Sequence, residues 1–290
     1  MFAGCTLLPG AASAQLRVDT TLYSSSGSCA NCDLSGKRMN GMTLKNANFA
    51  GSLFNNSNLS GGKFHGSDLT GAHFRKAMLY GVSGTKVVMR GAVFSDATLT
   101  GAELTHSSLR EADLRRAELE RGRFHDNDFR DADLSGATLS GADLTRSDFT
   151  NASLNGTALI GATLDGARLH GVDFTLADLS GASLADADLS GSDLSLVVGL
   201  TQAQLDAACG NGDTLLPPEL GVSACDGTAT GAALPFAAAE SADRQDAARA
   251  LDRALGDVEV LLRGTRDRNA RARLQRIHRD LTHSRDALAR

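Results

Sequence analysis

The cysteines are the residues whose spacing comes nearest to a known chemistry. Cys29-Ala30-Asn31-Cys32 is a C-x-x-C, the spacing of a redox dithiol or of half a zinc site. No βαβ context surrounds it and no second C-x-x-C follows, so neither use is supported. Cys209 and Cys225 make a second local pair, and Cys5 stands apart near the start. Two local pairs read as two structural disulfides. A Cys209–Cys225 link would contribute about 3 kcal/mol in the chain-entropy model.

Three other residue types recur. Asp113, Asp133, Asp143, Asp173, Asp188 and Asp193 keep a five-residue clock. Stacked carboxylates would suit acid–base work or calcium, but short acidic side chains also bond nearby backbone, and that structural role is the reading adopted. Arg90, Arg110 and Arg130 recur at every fourth pentad, with Arg115, Arg116, Arg121 and Arg123 among them. They form a candidate surface for an anion or acidic partner, centred on Arg90, Arg110, Arg130, Arg115 and Arg123. Glu111 and Asp131 follow two of the series, and local ion pairing is the simpler expectation. The seven histidines are scattered and no metal is expected. There is no G-x-S-x-G, P-loop, H-E-x-x-H or Rossmann glycine pattern, so no catalytic residue and no cofactor is assigned.

What positions these residues is a ladder. Stepping by five from Leu34 to Leu194 passes 33 positions, of which 30 are Leu or Phe; Met39, Gly84 and Met89 are the exceptions. Two residues before each centre stands a small residue, as at Ala47, Ser57, Ala72, Ala132 and Ala182. Neither a helix nor a strand keeps such a stripe on one face, so the chain must turn a corner once per pentad. Gly recurs two after the centre, as at Gly36, Gly71 and Gly136, where a positive φ is wanted. Each buried Leu or Phe contributes roughly 1.5–3 kcal/mol.

Units such as Ala132-Asp133-Leu134-Ser135-Gly136 and Ala142-Asp143-Leu144-Thr145-Arg146 resemble the A-(D/N)-L-x-x motif of the pentapeptide repeat family. The resemblance implies an all-β fold: a right-handed quadrilateral β-helix with four pentads per coil, hence about eight coils. Equivalent residues of successive coils then stack, giving an internal column of Phe54, Phe74 and Phe94 continued by Leu114, Leu134 and Leu154. His65 and His125 fall three coils, ~14 Å, apart, and His106 stacks over Asp126. Between Tyr80 and Met89 the pattern weakens: Val82 and Val87 take small-residue slots and Gly84 a centre. Degenerate repeats are the simpler reading there, with a bulge or a surface feature at Val88 and Val93 as the alternative.

Six segments follow. Residues 1–14 read as a signal peptide ending in Ala12-Ser13-Ala14, and 15–32 as a lead-in carrying the first cysteine pair. Residues 33–200 are the β-helix. Residues 201–225 are a C-terminal cap, opened by a helix over 201–209 with Thr201 as N-cap and holding the second cysteine pair. Residues 226–240 are a Gly/Ala-rich linker, and 241–290 a helical hairpin or coiled coil. Its apolar stripes, Leu251, Leu255, Val258, Leu262, then Leu274, Ile277 and Leu281, are candidates for oligomerisation. No run of about 18 apolar residues suggests a transmembrane helix.

Leader and paired cysteines point to a periplasmic or secreted protein, with the cytoplasm as alternative. The expected function is that of a non-enzymatic scaffold binding an unidentified protein partner. In the family resembled, some members mimic DNA and act on DNA gyrase, which is the rival reading. The rod carries 20 acidic and 16 basic side chains over residues 33–200, so neither nucleic acid nor a strong single-sign field is expected.

Overall fold

The computed structural model of the 290-residue chain describes residues 28–225, together with Gln275, His278 and Thr282. The leader, Cys5, the linker and the tail residues Leu251, Leu255, Val258, Leu262, Leu274, Ile277 and Leu281 lie outside the described residues.

The five-residue period becomes a four-sided stack. The residue before each centre forms a parallel bridge with its equivalent four pentads on, from Asp33↔Leu53 through Asp113↔Asp133 to Asp178↔Val198. Four pentads therefore close one circuit. Each side is too short for more than an isolated bridge, except at β1 (Ser83–Thr85) and β2 (Glu103–Thr105), which pair in parallel with Gly84 opposite Leu104.

The hydrogen bonding follows the same clock. The centre's N–H donates to the next coil, as Phe54 to the His73 carbonyl (2.7 Å) and Leu114 to the Asp133 carbonyl (2.7 Å). The bridging residue donates to the previous coil, as Asp133 does to the Ala112 carbonyl (3.0 Å). At each corner the small residue's N–H returns to the preceding centre, as Ala72 to the Leu69 carbonyl (3.0 Å).

Inside, the centres and the small residues are buried together. Phe54, Phe74 and Phe94 stack with ring centroids 4.8 Å apart and planes within 2°, as the spacing predicts. Phe129 and Phe149 form a second stacked pair at 4.7 Å. These separations equal the ~4.8 Å distance between neighbouring strands, so backbone and rings share one repeat.

The weak stretch does not bulge. Bridges run unbroken from Lys63 to Ser83 and from Asp68 to Val88. The space left by Gly84 is filled by Val87: a Cβ at Gly84 would stand 2.7 Å from Val87 Cγ2. A larger residue in the small slot thus compensates a missing one at the centre, leaving Val88 exposed and Val93 half-buried.

Past Leu194 the ladder continues with a drifting step. Asp178 bridges Val198 in register, but Asp188 bridges Cys209 and Asp193 bridges Leu215, so the partner slips one position further each time. The helix expected over 201–209 is shorter: α1 spans Gln202–Leu205. It stops because Cys209 is drawn into strand β3 (Cys209–Gly210), which pairs in parallel with β4 (Ser223–Ala224). The Gln204 carboxamide accepts from the Thr201 N–H (2.8 Å) and donates to the carbonyls of Leu179 and Ala182 (2.8 and 2.9 Å). Among the described residues no helix is long and apolar enough to cross a membrane.

Phe74 lies between two stacked rings, so Phe74→Ala should cost about 3–5 kcal/mol. Denaturant unfolding of the variant beside the parent protein measures it.

Candidate interaction surfaces and cysteine pairs

Corners determine which side chains reach outward. Every residue two after a centre, from Asn31 to Gly191, has positive φ, and nearly half of these positions are not glycine. A non-glycine residue in that conformation costs roughly 1–2 kcal/mol. From His106 to Asp131 six successive corners lack glycine: His106, Glu111, Arg116, Arg121, Asp126 and Asp131.

All of those side chains but Arg121 have an oppositely charged partner across a coil. Arg116 makes two bonds to Asp96 (2.8 and 3.0 Å), and Arg146 makes two to Asp126 (2.7 and 2.8 Å). Glu111 accepts from Arg90 at 3.0 Å and lies 3.4 Å from Arg110, which also donates to Asp131 at 3.2 Å. Arg130 pairs with Asp128 (2.7 Å), Arg115 with Asp113 (2.8 Å) and Arg123 with Glu103 (3.2 Å). The arginine surface predicted from sequence thus carries its own counter-charges.

The carboxylates respond accordingly. The Arg116 guanidinium holds Asp96 below the usual carboxylate range. Arg146 first, then the His125 ring, hold Asp126 below it. Hydrogen bonds from Arg115 and Arg130 lower Asp113 and Asp128.

The recurrent aspartates serve the turn. The Oδ1 atoms of Asp113, Asp133, Asp143, Asp173, Asp188 and Asp193 each accept the backbone N–H two residues ahead, at 2.9–3.2 Å. A short acidic side chain that closes its own turn explains the slot without catalysis.

Sequence spacing left His125 alone, but the fold joins it to His106 and Asp126. The His125 Nδ1 lies 2.8 Å and the His106 Nε2 3.5 Å from Asp126 Oδ2. Their ligating atoms fall within 4.8 Å of one another. Arg146 already engages both Asp126 oxygens. A guanidinium seated on the carboxylate makes this an ion-pair network rather than a cation site.

The cysteines end the ladder at both sides. Cys29 and Cys32 lie at disulfide distance, with Cα atoms 5.6 Å apart. Ser52 from the next coil donates to the Cys29 carbonyl (2.6 Å) and accepts from the Cys32 N–H (3.2 Å). Cys209 and Cys225 lie at disulfide distance with Cα atoms 4.7 Å apart, joining β3 to the residue after β4.

The near balance of charge conceals a polarity along the axis. Residues 33–90 hold eight basic and two acidic side chains, whereas residues 131–200 hold two basic and ten acidic. The expectation of a weak field holds for the sum and fails for the two halves.

The family model for pentapeptide repeats matches eight copies, over residues 28–61, 86–126, 128–166 and 159–195. Among solved structures, the chain is similar to HetL of the cyanobacterium Nostoc sp. strain PCC 7120, a pentapeptide repeat protein involved in heterocyst differentiation regulation. Identity is 27%, the TM-score 0.36, and the match covers 70% of this chain and 91% of HetL. It is 29% identical to alr5209, a pentapeptide repeat protein of Nostoc PCC 7120, over 39% of this chain and 77% of that one, with a TM-score of 0.30. Full-length QnrB1, a plasmid-mediated fluoroquinolone resistance protein, is 21% identical over 64% of this chain and 94% of its own, with a TM-score of 0.28. No curated protein matches the sequence.

Two outcomes follow from the corners and their ion pairs. Leu176 has a left-handed φ of 58° and makes no ion pair, so Leu176→Gly should raise stability by about 0.5–1 kcal/mol in denaturant unfolding. Asp96 and Asp126 titrate lower folded than unfolded. Their contribution is present above the ordinary carboxylate value of about 3.9 and is lost as pH falls through the depressed one. The melting temperature should therefore fall below about pH 4. Asp126→Asn should melt lower at neutral pH and decline less steeply with acid.

Proposed function

The chain belongs to the pentapeptide repeat family, and from that premise we propose that it is an exported, non-enzymatic scaffold whose rod and tail engage a protein partner. The carrying observation is the placing of four cysteines as two local pairs, one at each end of the ladder. Such staples suit an oxidising compartment, and the leader ending in Ala12-Ser13-Ala14 agrees with export to the periplasm or beyond.

The finer architecture is part of the same reading. About eight right-handed coils are closed by a cap made of α1, β3 and β4. The Gln204 bonds to Leu179 and Ala182 tie that cap to the rod, and the exchange between Gln202 and Gly221 (2.8 and 3.0 Å) fastens the cap internally. A helical tail then supplies oligomerisation or docking; Gln275, His278 and Thr282 are helical, with the Thr282 hydroxyl donating to the His278 carbonyl at 2.6 Å. A scaffold role is supported by a rod filled with Leu, Phe and Ala, and by aspartates and arginines that satisfy one another or the backbone.

The rival, a cytoplasmic DNA mimic acting on gyrase, has one feature in its favour, the acidic coils of residues 131–200. The basic coils of residues 33–90 oppose it. A gyrase supercoiling assay separates the two, and no inhibition is expected.

Export is tested by fractionation and non-reducing mass spectrometry of the protein from its native cell. The expected species begins after Ala14, carries both disulfides and resides outside the cytoplasm; a reduced, unprocessed cytosolic chain overturns it. With the second staple formed, Cys209→Ser with Cys225→Ser should cost about 3 kcal/mol in denaturant unfolding.

A further inference from the structure

The four sides of the rod differ in character. One side is traced by the bridges Asn58↔Met78↔Thr98↔Glu118↔Thr138↔Ala158↔Asp178. Beside it runs the column of Tyr80, Thr100, Glu120, Ser140, Ile160 and Ser180, stacked through hydrogen bonds such as Gly61 N–H to the Tyr80 carbonyl and Gly141 N–H to the Ile160 carbonyl. From residue 38 to residue 200 these two columns hold four charged side chains, Arg38, Glu118, Glu120 and Asp178, and the corner column of the same side adds Arg121.

The other sides carry the ion-pair networks. This side instead carries Met78, Tyr80 and Ile160, which are 40%, 47% and 37% exposed. They are three of the five large apolar residues exposed among the described residues. Depletion of charge with exposed Tyr, Met and Ile is the composition of an interface centre.

We propose that this side is a self-association surface on which a second copy of the chain packs with its rod antiparallel. Charge along the axis selects that occupant and direction. A parallel copy would lay net +6 over net +6 and net −8 over net −8, whereas an antiparallel copy opposes them. The apolar residues agree with a two-fold axis. Tyr80 and Ile160 share a column four coils apart, about 19 Å at the ring-stacking repeat, with Glu120 midway. A two-fold through the Glu118–Glu120 side seats Tyr80 of each copy on Ile160 of the other. On the flank it turns Lys45, Lys63 and Lys86 towards coils bearing Asp165 and Asp186; no ion pair within 4.0 Å engages these five side chains among the described residues.

The same geometry places Glu118 and Glu120 against their symmetry mates, a like-charge contact that weakens the pair. Removing that charge should tighten association between chains that remain folded. Sedimentation of the full-length oxidised protein measures it. Glu118→Gln with Glu120→Gln should lower the dimer dissociation constant by about tenfold, and Tyr80→Glu with Ile160→Glu should raise it by about tenfold or more. Both variants should keep the parent's circular dichroism and melting profile.

A photo-crosslinker at position 80, in a mixture of light and isotope-labelled chains, should give inter-chain links to the peptide containing Ile160. That link also separates this surface from association through the tail. A monomeric protein, a dimer indifferent to these substitutions, or links joining position 80 to position 80 overturns the proposal.

Discussion

Everything in this rod depends on one backbone event repeated at every pentad: a corner at which one residue is left-handed. That conformation turns the chain by a quarter of a circuit, and so returns the N–H groups of the centre, of the residue before it and of the corner residue to carbonyls of adjoining coils. Because the donors on each side alternate between the coil before and the coil after, no coil is satisfied alone. Stability is shared between neighbours, as in other stacked repeats. The Phe column is a consequence of this spacing rather than a cause of it. Rings whose backbones are held one strand spacing apart have little choice but to stack with parallel planes.

The same corner explains how so uniform a fold acquires individual surfaces. Where glycine fills the corner, nothing projects and the rim is smooth. Where His106, Glu111, Arg116, Asp126 and Asp131 fill it, strain is accepted and long polar side chains reach to adjoining coils. The mid-rod corners therefore form a mesh of charge that binds coil to coil from outside. The side that carries Met78, Tyr80 and Ile160 takes little part in that mesh. Its sparse charge and the mesh are complementary results of where the sequence places charge within the pentad.

Much of this was legible in the residues. The Leu and Phe clock gives the four-pentad stacking, the buried small slots and the Phe54–Phe74–Phe94 column, because a strict period leaves few ways to bury one face. Aspartate in the slot before the centre also revealed its turn-closing use. Other features depend on contacts that no linear pattern shows. Arg116 pairs with Asp96 and Arg146 with Asp126 across one coil, while Arg115 and Arg130 turn to an aspartate two residues back; which partner wins is a matter of corner geometry. The amphipathic stretch after Thr201 has a helical pattern through Cys209, but pairing of Cys209 with the strand at Ser223 prevails over it. The swap of Val87 and Gly84 between small slot and centre reads in sequence as a degenerate repeat, and only the structure shows that the methyl of Val87 fills the gap at Gly84. Summed charge, finally, averages away the contrast between the two halves, which only a reading along the axis recovers.

The drifting step beyond Leu194 has a consequence for the rod's neighbours in solution. An open end of stacked coils is a template, and any chain with the same repeat could extend it indefinitely into a fibre. The slip that begins at Cys209 and grows at Leu215 leaves a terminal edge whose donors and acceptors no longer match a regular coil. A mismatched last layer ends growth in the way a damaged thread stops a nut. In that sense the irregular residues after the ladder limit its length, and keep a sequence built for endless repetition as a particle of finite size.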